Sequence, residues 1–153
     1  MLSEDDKWYA VSLRLSGDSL DPASVEALLG LSPTTVGIKG QKRKGKQGRE
    51  YAPHETNIWV HRHDAADNTC FEDRLRALFS LLGPRRTALK TLCTTPGIEG
   101  DIFLGFSSGN GQGGDTISPH VLSLIADTGL SLSLDLYPPS VDEDENDTSP
   151  RWA

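Results

Sequence analysis

One pattern, present twice, constrains the fold of this chain more than any other feature. It consists of a strand, a polar turn, an Asp-Pro or Ser-Pro helix start, a short helix and a Gly-Leu stop. The first copy reads Tyr9-Ala10-Val11-Ser12-Leu13-Arg14-Leu15, then Asp21-Pro22, then a helical stretch ending at Gly30-Leu31. The second reads Ile102-Phe103-Leu104-Gly105-Phe106, then Ser118-Pro119, then a helical stretch ending at Gly129-Leu130. Asp21 and Ser118 are side chains that accept from the free N–H groups of a first turn, and a proline directly after them sits where no N–H is needed. Gly30 and Gly129 supply the left-handed residue that stops a helix. The repeat fixes an α+β architecture and identifies no chemistry.

The remaining segments fit between and around these copies. Tyr9, Val11, Leu13 and Leu15 alternate with Ser12, Arg14 and Ser16, the period of a half-buried strand. Val25, Leu28 and Leu29 form the inward stripe of the first helix. A second strand is expected at residues 56–61. Phe71, Leu75, Leu78, Phe79 and Leu82 recur at helical spacing, with Glu72, Asp73, Arg74 and Arg76 outside. That helix ends at Gly83-Pro84, and another helical segment spans residues 85–92. The final helix turns Val121, Leu122, Leu124 and Ile125 inward. In the last strand Leu130, Leu132, Leu134 and Leu136 face in, while Ser131, Ser133 and Asp135 face out.

These elements predict a mostly antiparallel sheet of four to five strands with helices packed on one face, in a ferredoxin-like, split βαβ arrangement. The other face is expected to be open, carrying Ser12, Arg14, Trp59 or its neighbours, Ser133 and Asp135. Residues 1–139 form a single domain in which 39–50 is a mobile basic loop, with a hairpin tip as one form of it. Residues 140–153 form an acidic, disordered tail.

The chain has 153 residues and a formal net charge of -7, which argues against a nucleic-acid binder. The charge is unevenly spread. Lys39, Lys42, Arg43, Lys44, Lys46 and Arg49 cluster without an intervening acid, and Asp142, Glu143, Asp144, Glu145 and Asp147 crowd the end. No apolar run approaches the roughly 20 residues of a membrane span, and the acidic start lacks the basic region of a secretory signal. A cytoplasmic protein is expected. Cys70 and Cys93 form no metal-type pair and are expected as two half-buried free thiols.

Each candidate site has a plainer alternative. His61 and His63 share a strand face, with Asp64 and His54 near in sequence, but no metal-binding signature is complete and a polar strand end accounts for them. The glycine-rich loop 109–114 sits between a strand and a helix, where phosphate loops lie. It lacks the lysine of a P-loop, and Pro119 removes an N–H, so a flexible connector is expected. The basic loop, with Lys42, Arg43 and Lys44, is read as solvated or in contact with a protein or the acidic tail. Asp135 interrupts an apolar strand, and Asp101 is its candidate neighbour for acid–base work. No catalytic, metal or cofactor signature is found.

The stretches Tyr9 to Gly17, Leu28-Leu29-Gly30-Leu31-Ser32-Pro33-Thr34, the Trp59 strand and Leu132 to Pro138 resemble a bacterial family known as domain of unknown function 4279, over about residues 8–138. The resemblance implies no catalytic residues. Small standalone bacterial proteins of this kind turn up as immunity partners of toxins. The expected function is therefore a non-enzymatic protein-binding module, with an immunity role against a basic toxin as one form of it. The alternative is a ligand-binding domain or enzyme with its site at the 109–114 loop and Asp135. Arg14, Trp59, His61, Lys42, Arg43, Lys44 and Asp135 are the candidate contact residues.

Overall fold

A computed structural model describes residues 7–137. The acidic tail, and any contact it makes with the basic loop, lies outside the described residues, as do the side chains of Lys44 and Lys46.

The chain runs β1 (Lys7–Ser16), α1 (Pro22–Leu29), β2 (Thr35–Gly37), β3 (Lys42–Lys44), β4 (Glu50–Pro53), β5 (Ile58–His63), α2 (Phe71–Leu82), α3 (Arg86–Thr94), β6 (Glu99–Ser108), α4 (Pro119–Asp127) and β7 (Ser131–Tyr137). Five strands form one sheet in the order β2-β5-β1-β6-β7, and β3 and β4 form a separate two-stranded hairpin. Every pair in the main sheet is antiparallel except β6–β7. That pair is parallel because α4 carries the chain back across the sheet between them, as parallel neighbours require. The fold is thus α+β, with a mostly antiparallel five-stranded sheet.

The helix starts follow their local chemistry. Asp21 accepts from the Ala23 N–H at 3.1 Å, and Ser118 accepts from that of Val121 at 3.3 Å. Gly30 ends α1 in the left-handed region at φ 67°. The N-terminus of α2 is capped from a distance, since Asp115 accepts from the Phe71 N–H at 2.7 Å.

The core lies between the sheet and the helices. Tyr9, Val11, Leu13 and Leu15 of β1, with Ile102 and Leu104 of β6, meet Val25, Leu29, Leu75, Leu78, Leu82, Leu89, Val121 and Ile125 of the four helices. Each such side chain stabilises the fold by roughly 1.5–3 kcal/mol relative to exposure.

Four placements differ from the sequence expectation. Trp59 lies on the helix face and is 0% exposed. Ile58 and Val60 make both faces of β5 apolar, so alternation could not choose between them. Pairing with Leu15 decides it. Arg74 is buried rather than outward, because it sits three residues after Phe71 and four before Leu78, inside the apolar stripe. Leu28 and Leu122 are exposed. So are Leu132, Leu134 and Leu136, at 43%, 61% and 64%. They do point to the helix side, but β7 is an edge strand and α4 directs Val121 and Ile125 towards the core, so that no described element covers the outer flank of β7.

Candidate functional site

The face of the sheet away from the helices is built by alternate residues of four strands. β1 contributes Trp8, Ser12 and Arg14, and β5 contributes Arg62. β6 adds Asp101 and Phe103, and β7 adds Ser133, Asp135 and Tyr137. Arg14 grips Asp101 with two donors, its Nε at 2.8 Å from Oδ1 and its Nη2 on Oδ2. Ser133 donates to the same Oδ2 at 2.6 Å. The hydrogen bonds to Asp101 hold the Arg14 guanidinium above the usual arginine range. Its carbon also lies 4.2 Å from the Phe103 ring centre, a cation–π distance. The indole of Trp8 meets Tyr137 edge-on at 5.7 Å and has the Arg62 guanidinium 5.8 Å from its ring centre. Ala10 and Ser12 lie buried beneath this face, and the Ser12 hydroxyl has no hydrogen-bond partner among the described residues.

Asp101 accepts from three donors, two on Arg14 and one on Ser133. Asp135 pairs with Gly105, whereas Asp101 pairs with Ser131. Four residues of register separate the two carboxylates by about 13 Å along the strands, so they form no acid–base couple. Arg14 and Asp135 thus share the open face as expected, and Trp59 does not join them.

The histidines serve the interior. His61 and His63 do share a face, with ring centres 6.4 Å apart. The Nδ1 of His61 donates to the Ser32 carbonyl at 2.7 Å, tying β5 to the loop after α1, and its Nε2 is buried. Burial, aided by the nearby His61 and Arg74, pushes the His63 imidazole below its ordinary range. His54 stands apart, against Gly37. Among the described residues, no three His, Cys, Asp or Glu side chains gather to hold a metal ion.

The glycine loop is tied into the fold. Gly111 and Gly113 take positive φ, and a Cβ at Gly113 would meet the Phe106 ring at 2.9 Å. The start of α4, where a phosphate would bind, already holds an anion: Glu72 accepts from the Ser118 N–H at 2.9 Å and from its hydroxyl at 2.6 Å. Those donors keep the Glu72 carboxyl below its usual range.

In the basic segment, β3 and β4 realise the hairpin form. Lys42 pairs with Glu50 at 3.1 Å, Lys39 with Asp18 at 2.8 Å, and Arg43 donates to the Ala52 carbonyl at 3.4 Å. All are exposed, so each pair contributes little to stability. The cysteines are free and half-buried, and burial raises the Cys93 thiol to about 11.

Two features were not found from sequence. One is the exposed leucine stripe along the free edge of β7. The other is a cleft of about 170 Å³ at the end of the sheet where β1 begins and β5 ends, lined by cations from three elements. The first depends on strand order, which the sequence does not record. Nothing local signals the second, because Lys7, Arg62 and Arg74 are far apart in the chain.

Together these features define an α+β domain with one helix-covered sheet face, one polar and aromatic face, and an apolar strand edge without a partner among the described residues. A family model described as a domain of unknown function, DUF4279, matches residues 6–139, and the chain belongs to that family. No curated protein and no solved structure matches it. Among the described residues, no helix is long and apolar enough to cross a membrane.

Proposed function

We propose that this domain is a non-catalytic protein-binding module that docks a basic protein along β7. The observation that carries this reading is the run of Leu132, Leu134 and Leu136, exposed on a seven-residue strand whose outer edge has no partner among the described residues. Exposed sheet edges are normally short, charged or covered, because their unpaired N–H and C=O groups recruit other strands. The opposite edge strand, β2, has only three residues and obeys that rule. β7 runs for seven residues with a single charge, Asp135, and strand addition there offers main-chain hydrogen bonds with a leucine stripe beneath them.

Charge selects the partner. The chain carries -7 overall, β7 itself bears Asp135, and the sequence continues into Asp142-Glu143-Asp144-Glu145. A basic protein would be drawn to such a surface. A nuclease toxin neutralised by an immunity protein is one partner of this chemistry, and a cytoplasmic setting suits it.

The test is a pull-down from native lysate using the intact chain and a Leu134→Asp/Leu136→Asp double variant, with circular dichroism confirming that both fold. The reading requires a stoichiometric basic partner that the intact chain retains and the variant loses. Retention by both, or by neither, defeats it.

A further inference from the structure

Resting on that reading, we propose that what docks on β7 is an extended segment of a basic protein that adds antiparallel to the strand. Its apolar residues alternate along the leucine stripe, and it sets a lysine or arginine opposite Asp135. The central observation is what β7 leaves unspent on its two faces. On the helix side stand the exposed Leu132, Leu134 and Leu136. On the other face Ser133 commits its hydroxyl to Asp101. Asp135, two residues on, is half-buried and has no hydrogen bond or ion pair among the described residues. Arg14 senses its charge across the face but binds Asp101. The strand's one charged side chain is thus left for a neighbouring strand to satisfy, and a partly desolvated carboxylate gains from a paired cation.

Backbone geometry sets the order of residues in that neighbour. Alternate residues of a strand turn their N–H and C=O groups to opposite sides, so β7 offers about half of its backbone groups outwards. Antiparallel pairing is slightly the more stable per residue. In an antiparallel neighbour, the residues opposite Leu136, Leu134 and Leu132 follow in that order and share the helix side. The residue opposite Asp135 falls between the first two of them, with its Cβ about 5 Å from that of Asp135. The pattern is therefore apolar, cation, apolar, neutral, apolar. A parallel neighbour would carry the cation between its last two apolar residues instead. A second copy of this chain fits poorly, because it brings a further charge of -7 and its own β7 offers no cation.

NMR titration of the nitrogen-labelled full chain with synthetic seven-residue peptides, at low salt, tests this. The first peptide has isoleucine at its second, fourth and sixth positions, lysine at its third and threonine elsewhere. It should shift the amides of residues 131–137 saturably. It should bind about threefold more tightly than the same peptide with threonine third, and about tenfold more tightly than with glutamate third. Moving the lysine to the fifth position should lose most of that gain. Asp135→Asn should bring the three peptides to one affinity, and the peptide series decides even if that variant fails to fold. No saturable shift in β7 with any peptide would overturn strand addition, even where a lysate pull-down retains a basic partner. Equal affinity for the lysine, threonine and glutamate peptides would overturn the pairing with Asp135. Tighter binding with lysine fifth would overturn the antiparallel direction. A peptide of the β7 sequence that binds as tightly as the lysine peptide would assign the edge to a second copy instead.

Discussion

Leu104 and Leu134 are direct partners in the β6–β7 ladder and point to the same side of the sheet, yet they are 2% and 61% exposed. Truncating each to alanine therefore measures burial with chemistry and strand geometry held nearly constant. Leu104→Ala opens a cavity in the core and should cost about 3 kcal/mol, within the range for fully buried leucines. Leu134 has about four-tenths of its surface covered, so the same truncation removes about 0.8 kcal/mol of a full-burial value near 2 kcal/mol. A few tenths more go with the lower strand preference of alanine. Urea unfolding, followed by the fluorescence of buried Trp59, gives the comparison directly. With a slope of about 2 kcal/mol per molar, the midpoint should fall by about 1.5 M for Leu104→Ala and about 0.5 M for Leu134→Ala. Neither shift should depend on protein concentration. Equal shifts would refute the reasoning, because Leu134 would then be covered by some other part of the chain. A Leu134→Ala penalty that grows with protein concentration would mean that a second copy covers it.

Two further predictions concern the frame and the interior. Gly17 has φ 148°, and a Cβ there would lie 1.8 Å from the Gly97 carbonyl oxygen, so Gly17→Ala should cost about 3 kcal/mol from backbone strain and displacement of the loop before β6. Thermal unfolding measures it, and an unchanged midpoint would mean that the two loops do not meet this closely. His63 is buried with its imidazole shifted below the ordinary value, beside His61 and Arg74 and with Asp64 opposing them. Its unfolded form takes up a proton near pH 6.5, whereas the folded form does so only at lower pH. The stability it contributes is complete above that value and is lost as pH falls from 6.5 towards the folded pKa. Stability curves should slope downward across that window in the intact chain and flatten in His63→Gln; parallel curves would place the titration elsewhere.

Sequence by itself determined the long strands, the helices and most of the core, but not the short strand β2. Period-two alternation in β1 and β6, the capped starts at Asp21 and Ser118, and the stop at Gly30 are local physics, legible because each signal acts within a few residues. The inward stripe of α2 was legible for the same reason, down to Phe71, Leu75, Leu78 and Leu82. Only the tertiary structure decided which face of an ambiguous strand is buried, as at Trp59, where pairing with Leu15 settled what Ile58 and Val60 left open. It also decided coverage. The alternating leucines of β7 do face the helices, but whether a helix lies over them depends on strand order, which no periodicity records. Arg74 shows the same limit, since an outward-looking charge entered the interior once loop carbonyls came within reach. The candidate sites divide along this line: Arg14 and Asp135 could be placed by alternation alone. The cleft beside Arg74, and the bonds from Arg14 and Ser133 to Asp101, join residues distant in sequence through register, and register is fixed only when the whole sheet assembles.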